Sequence, residues 1–254
     1  MDRIFRFVGG GYMILHTHIS GEGEPIVLLH SGGMTGLVEF DEQVAFFREK
    51  NYQVIRPDLR GHGKSGGALE NYFLRSVKDL HDTLVHLQID RCHIAGVSLG
   101  GLVALLFAKK YPDKVRTLTF SGIFPVKREN WEESQEYEAK CHQQLMENEE
   151  VVTYMNQIHE KSDWKALLES WQVKDWYPFD ETGDVANLQI PTLCIAGGDA
   201  EDEVTATTMF KQLNDNIHIA VIPFAGHLVH NDQPEIYSNI LSNFLQNAQA
   251  ASRI

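Results

Sequence analysis

Ser98 stands in Gly96-Val97-Ser98-Leu99-Gly100, behind the apolar run 92–97 and ahead of a stretch of small and aliphatic residues. A serine hydroxyl held on a sharp strand-to-helix turn can serve as a nucleophile. Glycine two positions to either side leaves room for strand and helix to pass closely. The pattern alone is common, since at average glycine usage about one chain in ten of this length contains it by chance. A second copy, Gly63-Lys64-Ser65-Gly66-Gly67, lies in a glycine-dense loop with no apolar helix start behind it. Context therefore selects Ser98 as the candidate nucleophile and sets Ser65 aside.

A serine hydroxyl needs a base to take its proton and a carboxylate to orient that base. His227 follows the apolar run 217–222, with Gly226 before it to let the loop turn; His230 is the alternative base. No third ligand at recognisable spacing accompanies these two histidines, which argues against a zinc pair. The stretch Gly197-Gly198-Asp199-Ala200-Glu201-Asp202-Glu203 follows another apolar run and offers the carboxylate. Asp199, Glu201 and Asp202 are the candidates, and each has an ordinary reading as a solvated charge or helix cap. An acyl-transfer site also needs main-chain donors for the developing oxyanion. Leu99 N–H is one; the loop after His30 supplies the second, assigned to Gly32 N–H.

The elements that must position these groups alternate between strand and helix. Runs 25–30, 52–56, 92–97, 115–120, 191–197 and 217–222 read as strands, many of them continuously apolar. Segments 39–50, 72–87, 99–110, 206–213 and 234–248 read as helices, and residues 5–8 and 12–18 as an opening hairpin around three glycines. His16 and His18 in that hairpin read as exposed strand residues. Such alternation means a mainly parallel sheet of about eight strands with helices on both faces. Ser98, the acids and His227 each follow a strand, which is where reactive groups gather in such sheets. Between 123 and 187 the alternation stops: the segment is rich in Glu and Gln, then in Trp, Tyr and Phe, and reads as a helical insertion.

Two nucleotide-binding patterns fail on context. Gly61, Gly63 and Gly66 match a dinucleotide fingerprint but are separated from the strand by Pro57 to Arg60. Gly63-Lys64-Ser65 resembles the end of a phosphate loop, yet Asp58 occupies the position where that loop needs glycine. The formal net charge of −13 argues against nucleic-acid and anionic-membrane partners. No run approaches the roughly 20 apolar residues of a membrane span. The start of the chain lacks a signal peptide's basic and apolar regions. Cys92, Cys141 and Cys194 are odd in number and scattered, as expected of reduced, mostly buried thiols in a cytoplasmic protein.

Taken together, the His30 loop, the segment Asp58-Leu59-Arg60-Gly61-His62-Gly63-Lys64-Ser65, the turn at Ser98, the run 191–197 and Gly226-His227 resemble the α/β-hydrolase fold superfamily. The resemblance covers about 25–245 except the insertion. It implies an α/β core over 1–122 and 188–254 with a helical cap over 123–187. It also implies a Ser-His-Asp triad of Ser98, His227 and Asp202, with an oxyanion hole of Gly32 and Leu99. Ser31 stands where relatives usually have glycine, and the acid loop carries about two extra residues. Counting back from Leu213 favours Asp202. Ser121-Gly122-Ile123 leaves the alternative acid position empty, and serine as nucleophile argues against the dehalogenase and epoxide hydrolase branches.

The implied activity is hydrolysis of a carboxylic ester, lactone or thioester of a partly apolar small molecule. No metal or organic cofactor is implied, and nothing indicates a homo-oligomer. Alternatives on the same fold are a proline-iminopeptidase-like aminopeptidase, a C–C bond hydrolase, a cofactor-free perhydrolase and a non-catalytic small-molecule receptor.

Overall fold

The computed structural model describes residues 13–173 and 175–251. Among these, seven strands form one sheet: β1 (Thr17–Ser20), β2 (Glu24–Leu29), β3 (Tyr52–Pro57), β4 (Cys92–Val97), β5 (Val115–Ser121), β6 (Thr192–Gly197) and β7 (Ile217–Ile222). Their order is β1-β3-β2-β4-β5-β6-β7, with β1 antiparallel to β3 and every other pairing parallel. The first half of the expected opening hairpin, residues 5–8, lies outside the described residues; an eighth strand was expected there.

Helices α1 (Asp41–Glu49) and α10 (Pro234–Ala251) cover one face, and α2 (Tyr72–His86), α3 (Leu99–Lys110) and α8 (Glu201–Leu213) the other. This two-sided cover is why β2 and β6 carry near-continuous apolar runs. Side chains alternate along β2: Ile26 and Leu28 pack with Phe40, Phe47 and Tyr237, while Val27 and Leu29 pack with Leu80, Leu102 and Val103. α3 is buried from Leu99 to Ala108, which explains its small, aliphatic, unstriped composition.

The chain visits β1 and β3 on one side of β2 and then crosses to β4 on the other. Strand order thus reverses between β2 and β4, opening a crevice at their carboxyl ends where such sheets bind ligands. The loop from His30 to Gly33 and the residue Ser98 stand at that crevice. The expected insertion forms α4 (Trp131–Glu147), α5 (Glu149–Ile158), α6 (Trp164–Ser170) and the single turn α7 (Phe179–Thr182) between β5 and β6. Asn148 caps α5 by accepting from the Glu150 and Val151 amides, and Asp163 caps α6 through the Ala166 amide. A last short helix, α9 (Val229–Asp232), precedes α10. No helix among the described residues is long and apolar enough to cross a membrane.

Residues 58–66, which carry the nucleotide-like patterns, form a structural loop. Asp58 is 2% exposed and accepts from the Gly36 amide at 3.0 Å and the Lys64 amide at 2.9 Å. A methyl group at Gly63 would lie 2.3 Å from Asp58 Oδ2, so the carboxylate holds the turn that glycine permits. Arg60 grips Asp79 through two bonds of 2.7 and 2.9 Å, both side chains buried. Removing either partner of such a pair costs about 3–5 kcal/mol. Ser65 is buried and its hydroxyl accepts from the His16 amide, so it is spent on structure.

Candidate active site

Ser98 has φ 55° and ψ −119°, a left-handed conformation that a side-chain-bearing residue adopts only when its surroundings impose it. Those surroundings are the crossing of β4 and α3. A methyl group at Gly96 would sit 2.2 Å from Gly100 O, and one at Gly100 would sit 2.2 Å from Leu29 O. The two glycines therefore let α3 start directly against β2 and β4. The Ser98 amide donates to Ser121 O at 2.8 Å, and Ser98 itself is half-buried at the mouth of the crevice.

His227 comes from the loop between β7 and α9. Asp232 Oδ2 accepts from the Gly226 amide at 2.7 Å and so braces the turn just before it. The ring leans over Gly122: a methyl group there would lie 2.7 Å from His227 Cε1 and 3.4 Å from the Ser98 amide nitrogen. Ring and nucleophile backbone thus flank one point in space. Among the described residues no hydrogen bond joins the Ser98 hydroxyl to the ring, a separation common in ligand-free sites of this chemistry. Gly122 has φ 69°, so Gly122→Ala is expected to strain the backbone and push the imidazole aside together. A fall of at least about 10-fold in kcat/KM with a lowered Tm is the expected result, read by kinetics and thermal melting.

The carboxylate on His227 is Glu203, not Asp202, Asp199 or Glu201. His227 Nδ1–H donates to Glu203 Oε1 at 2.5 Å, leaving Nε2 as the free acceptor. The expected helix 206–213 begins five residues earlier, at Glu201, and this places 201, 202 and 203 in its first turn. Successive helical positions point about 100° apart. Asp202 consequently faces outward, its side chain 56% exposed, and pairs with Arg128 from the insertion, whereas the Glu203 side chain is 8% exposed. Glu201 and Asp199 are exposed. Glu203, Ala206, Thr207 and Phe210 form the buried stripe of α8. Stepping back three from Ala206 along that stripe would have found Glu203.

Partial desolvation disfavours the charged imidazole of His227, whose side chain is 48% exposed, but the Glu203 bond and charge, with Glu138 and Glu39, override it and raise its pKa above the usual 6.5. A base must be neutral, so the acid limb of kcat/KM is expected to have its midpoint above 6.5, with activity lost as pH falls through it. Glu203→Gln should move that limb to lower pH in a pH–rate profile.

His230 belongs elsewhere. It is fully buried against Phe40 and Tyr237, its Nε2 3.4 Å from Glu39 Oε1. Glu39 in turn accepts from the Ser31 amide at 2.6 Å and the Ser31 hydroxyl at 2.8 Å. The serine that replaces the usual glycine is thus an anchor for the loop after β2.

That loop commits its amides one by one. Ser31 N–H goes to Glu39, Gly33 N–H to His62 Nε2 at 3.3 Å, and Met34 N–H to Ser31 O. Among the described residues Gly32 N–H has no acceptor, and neither has Leu99 N–H in the open first turn of α3. His30 fixes the Ser31–Gly32 peptide plane. Its Nδ1–H donates to Ser31 O at 2.8 Å, and its Nε2 accepts from the Leu59 amide at 2.9 Å. In a trans peptide the N–H points opposite to that held carbonyl. Burial lowers the pKa of His30 and, strongly, of His62, so both rings stay neutral and keep these donor and acceptor roles.

Trp171, just after α6, covers the loop: a methyl group at Gly32 would touch its Cη2 at 2.7 Å. His142 of α4 packs at 5.9 Å from the Trp171 ring, and a cavity of about 250 Å³ opens between Glu138, His142 and Trp171.

His16, His18 and Asp58 also gather, with ligand atoms within 4.8 Å of one another. Both Asp58 oxygens already hold backbone amides, and His18 Nε2 donates to Oδ1 at 3.3 Å, so the contacts are accounted for as loop structure. His16 is exposed as expected, and His18 half-buried. Of the three cysteines, all free, Cys92 and Cys194 are buried and Cys141 partly so.

Comparison with known proteins identifies the fold. Residues 24–149 match the family model described as alpha/beta hydrolase fold. The chain is 27% identical over 254 aligned residues to 3-oxoadipate enol-lactonase 1 of Acinetobacter baylyi, covering 92% of this chain and 94% of that one. It is 36% identical over 122 residues to a 2-hydroxy-6-oxononadienedioate/2-hydroxy-6-oxononatrienedioate hydrolase of Paraburkholderia phymatum, covering 45% and 41%. The chain spans only about two fifths of the length of the first curated relatives it matches, 37% to 41%. Among solved structures, NosK from Streptomyces actuosus superposes with a TM-score of 0.79 at 26% identity, over 90% of this chain and all of that one. With its reversed strand order, its strained serine turn and these matches, the chain belongs to the α/β-hydrolase fold superfamily.

Proposed function

We propose that this protein is a serine hydrolase that cleaves a carboxylic ester, lactone or thioester of a partly apolar small molecule. The observation that carries the reading is His227, seated on buried Glu203 and flanking the Ser98 turn, beside two uncommitted amides. Ser98 Oγ attacks the carbonyl carbon while His227 Nε2 takes its proton. The Gly32 and Leu99 amides receive the oxyanion, and Glu203 stabilises the imidazolium. As the tetrahedral adduct collapses, His227 returns the proton to the leaving oxygen or sulfur. Water, deprotonated by His227, then cleaves the acyl-enzyme and restores Ser98.

Residues 123–187 serve as a cap, from which Trp171 closes over Gly32 beside the acyl site. The enol-lactonase likeness runs nearly the whole length of both chains, whereas the C–C hydrolase likeness spans 122 residues. That difference favours an ester or lactone over a C–C bond. Incubation with a fluorophosphonate, followed by peptide mass spectrometry, should find a single adduct on Ser98. Modification elsewhere, or none, would sink the reading. Labelling with negligible turnover and tight ligand retention would point to a receptor, and rapid cleavage of aminoacyl anilides to an aminopeptidase.

A further inference from the structure

His159 ends α5 in the insertion, yet it is only 3% exposed because its ring is driven between two loops of the core. Its Nε2–H donates to Gly33 O at 3.0 Å, and its Nδ1 accepts from the Gly63 amide at 3.0 Å. Gly33 is thereby held at both ends, its N–H on His62 and its C=O on His159. The first of these bonds lies one peptide beyond the uncommitted Gly32 N–H and the second two peptides beyond it. The His62 and His159 rings are 5.8 Å apart, and Trp171 from the same insertion closes over Gly32. Burial lowers the His159 pKa, in agreement with a ring that must accept at one nitrogen and donate at the other.

We infer that His159 is a positioning residue for the oxyanion loop: His30 orients the Gly32 amide, and the insertion, through the Gly33 carbonyl, keeps the segment behind that amide in place. The inference rests on the hydrolase reading above. One bond of 3.0 Å from the buried ring holds Gly33 O, and the other, accepted from the Gly63 amide at 3.0 Å, anchors the ring itself; the Gly32–Gly33 pair has no side chains to fix itself. Without them Gly33 O loses its buried donor, and the 32–33 segment gains freedom at the place where an amide must meet a developing charge. Removing an oxyanion donor outright costs about 100- to 1,000-fold in turnover, and misplacement by about 1 Å can cost about 100-fold.

The test compares His159→Leu, His159→Gln and Ser162→Ala with wild type on p-nitrophenyl acetate. Gln carries an NH2 donor group and a carbonyl acceptor and can replace both bonds; Leu can replace neither. Ser162 Oγ donates to Gly63 O at 3.1 Å, a nearby bond between insertion and core that does not touch Gly33. Expected are a kcat about 10- to 100-fold lower for Leu with KM within about 3-fold, recovery to within about 5-fold for Gln, and wild-type values for Ser162→Ala. Inhibition by 2,2,2-trifluoroacetophenone, whose serine adduct carries an oxyanion, should weaken in His159→Leu by the same factor as kcat.

An unchanged kcat in His159→Leu overturns the inference. So does a loss confined to KM, or an equal loss in Ser162→Ala, since these would mean general docking of the insertion. If His159→Leu does not fold, His159→Asn takes its place: polar, but too short to span both partners, it should show the same fall. Wild-type protein with no Ser98-dependent turnover and no fluorophosphonate adduct would instead remove the hydrolase reading, and this inference with it.

Discussion

Glu203→Ala should lower kcat/KM about 1,000- to 10,000-fold, while Asp202→Asn should leave it within about 3-fold of wild type. The contrast follows from one turn of helix. Glu203 is the carboxylate that receives His227 Nδ1–H at 2.5 Å, and without it the ring loses both its tautomer and the charge that stabilises the imidazolium. Asp202, one residue earlier, points to solvent and pairs with Arg128. An exposed pair of that kind contributes about 0–1 kcal/mol, so its loss should show as a small change in Tm rather than in turnover. Steady-state kinetics on the two variants, with circular dichroism to confirm folding, decides the matter. Equal losses, or a larger loss for Asp202→Asn, would contradict the assignment of the acid.

Ser98→Ala should abolish fluorophosphonate labelling and lower kcat by about a million-fold, to the background of the residual amides and base. Because the members of such a constellation act as a unit, the double variant Ser98→Ala/His227→Ala should be no slower than Ser98→Ala alone. Ser65→Ala, at the other Gly-x-Ser-x-Gly, should retain turnover and the Ser98 adduct. Its buried hydroxyl accepts from the His16 amide at 2.8 Å, so its loss should be read in stability, at about 1–3 kcal/mol for the stranded donor. Labelling that survives Ser98→Ala would refute the nucleophile.

Most of the architecture was legible from the chain alone, for a local reason. Short apolar runs such as Thr192–Gly197, bounded by Pro191 and Gly198, read as strands covered on both faces, and Gly96 and Gly100 mark a crossing too tight for a side chain. Each of those signals is carried by neighbours in sequence, and the same holds for Ser98 and His227, which end strands of an alternating pattern. The carboxylate that meets His227 is less legible, because its identity depends on where a helix starts. Starting at Ala206 leaves residues 199–203 as a loop in which any carboxylate serves; starting at Glu201 turns Glu203 inward and Asp202 outward.

Other features have no local signal at all. The partners that leave Gly32 N–H free are Glu39, His62 and, through Gly33 O, His159; the last is 126 positions away along the chain. A histidine ending a polar helix in an acidic insertion reads as a surface residue, and only the packing of that insertion against the loop after β2 buries it. Side-chain type and short-range spacing determined which groups could react. Which amide stays uncommitted and which carboxylate meets the imidazole were decided by contacts between segments far apart in sequence. Burial made those contacts obligatory, because a polar group taken out of water must find a partner wherever the fold offers one.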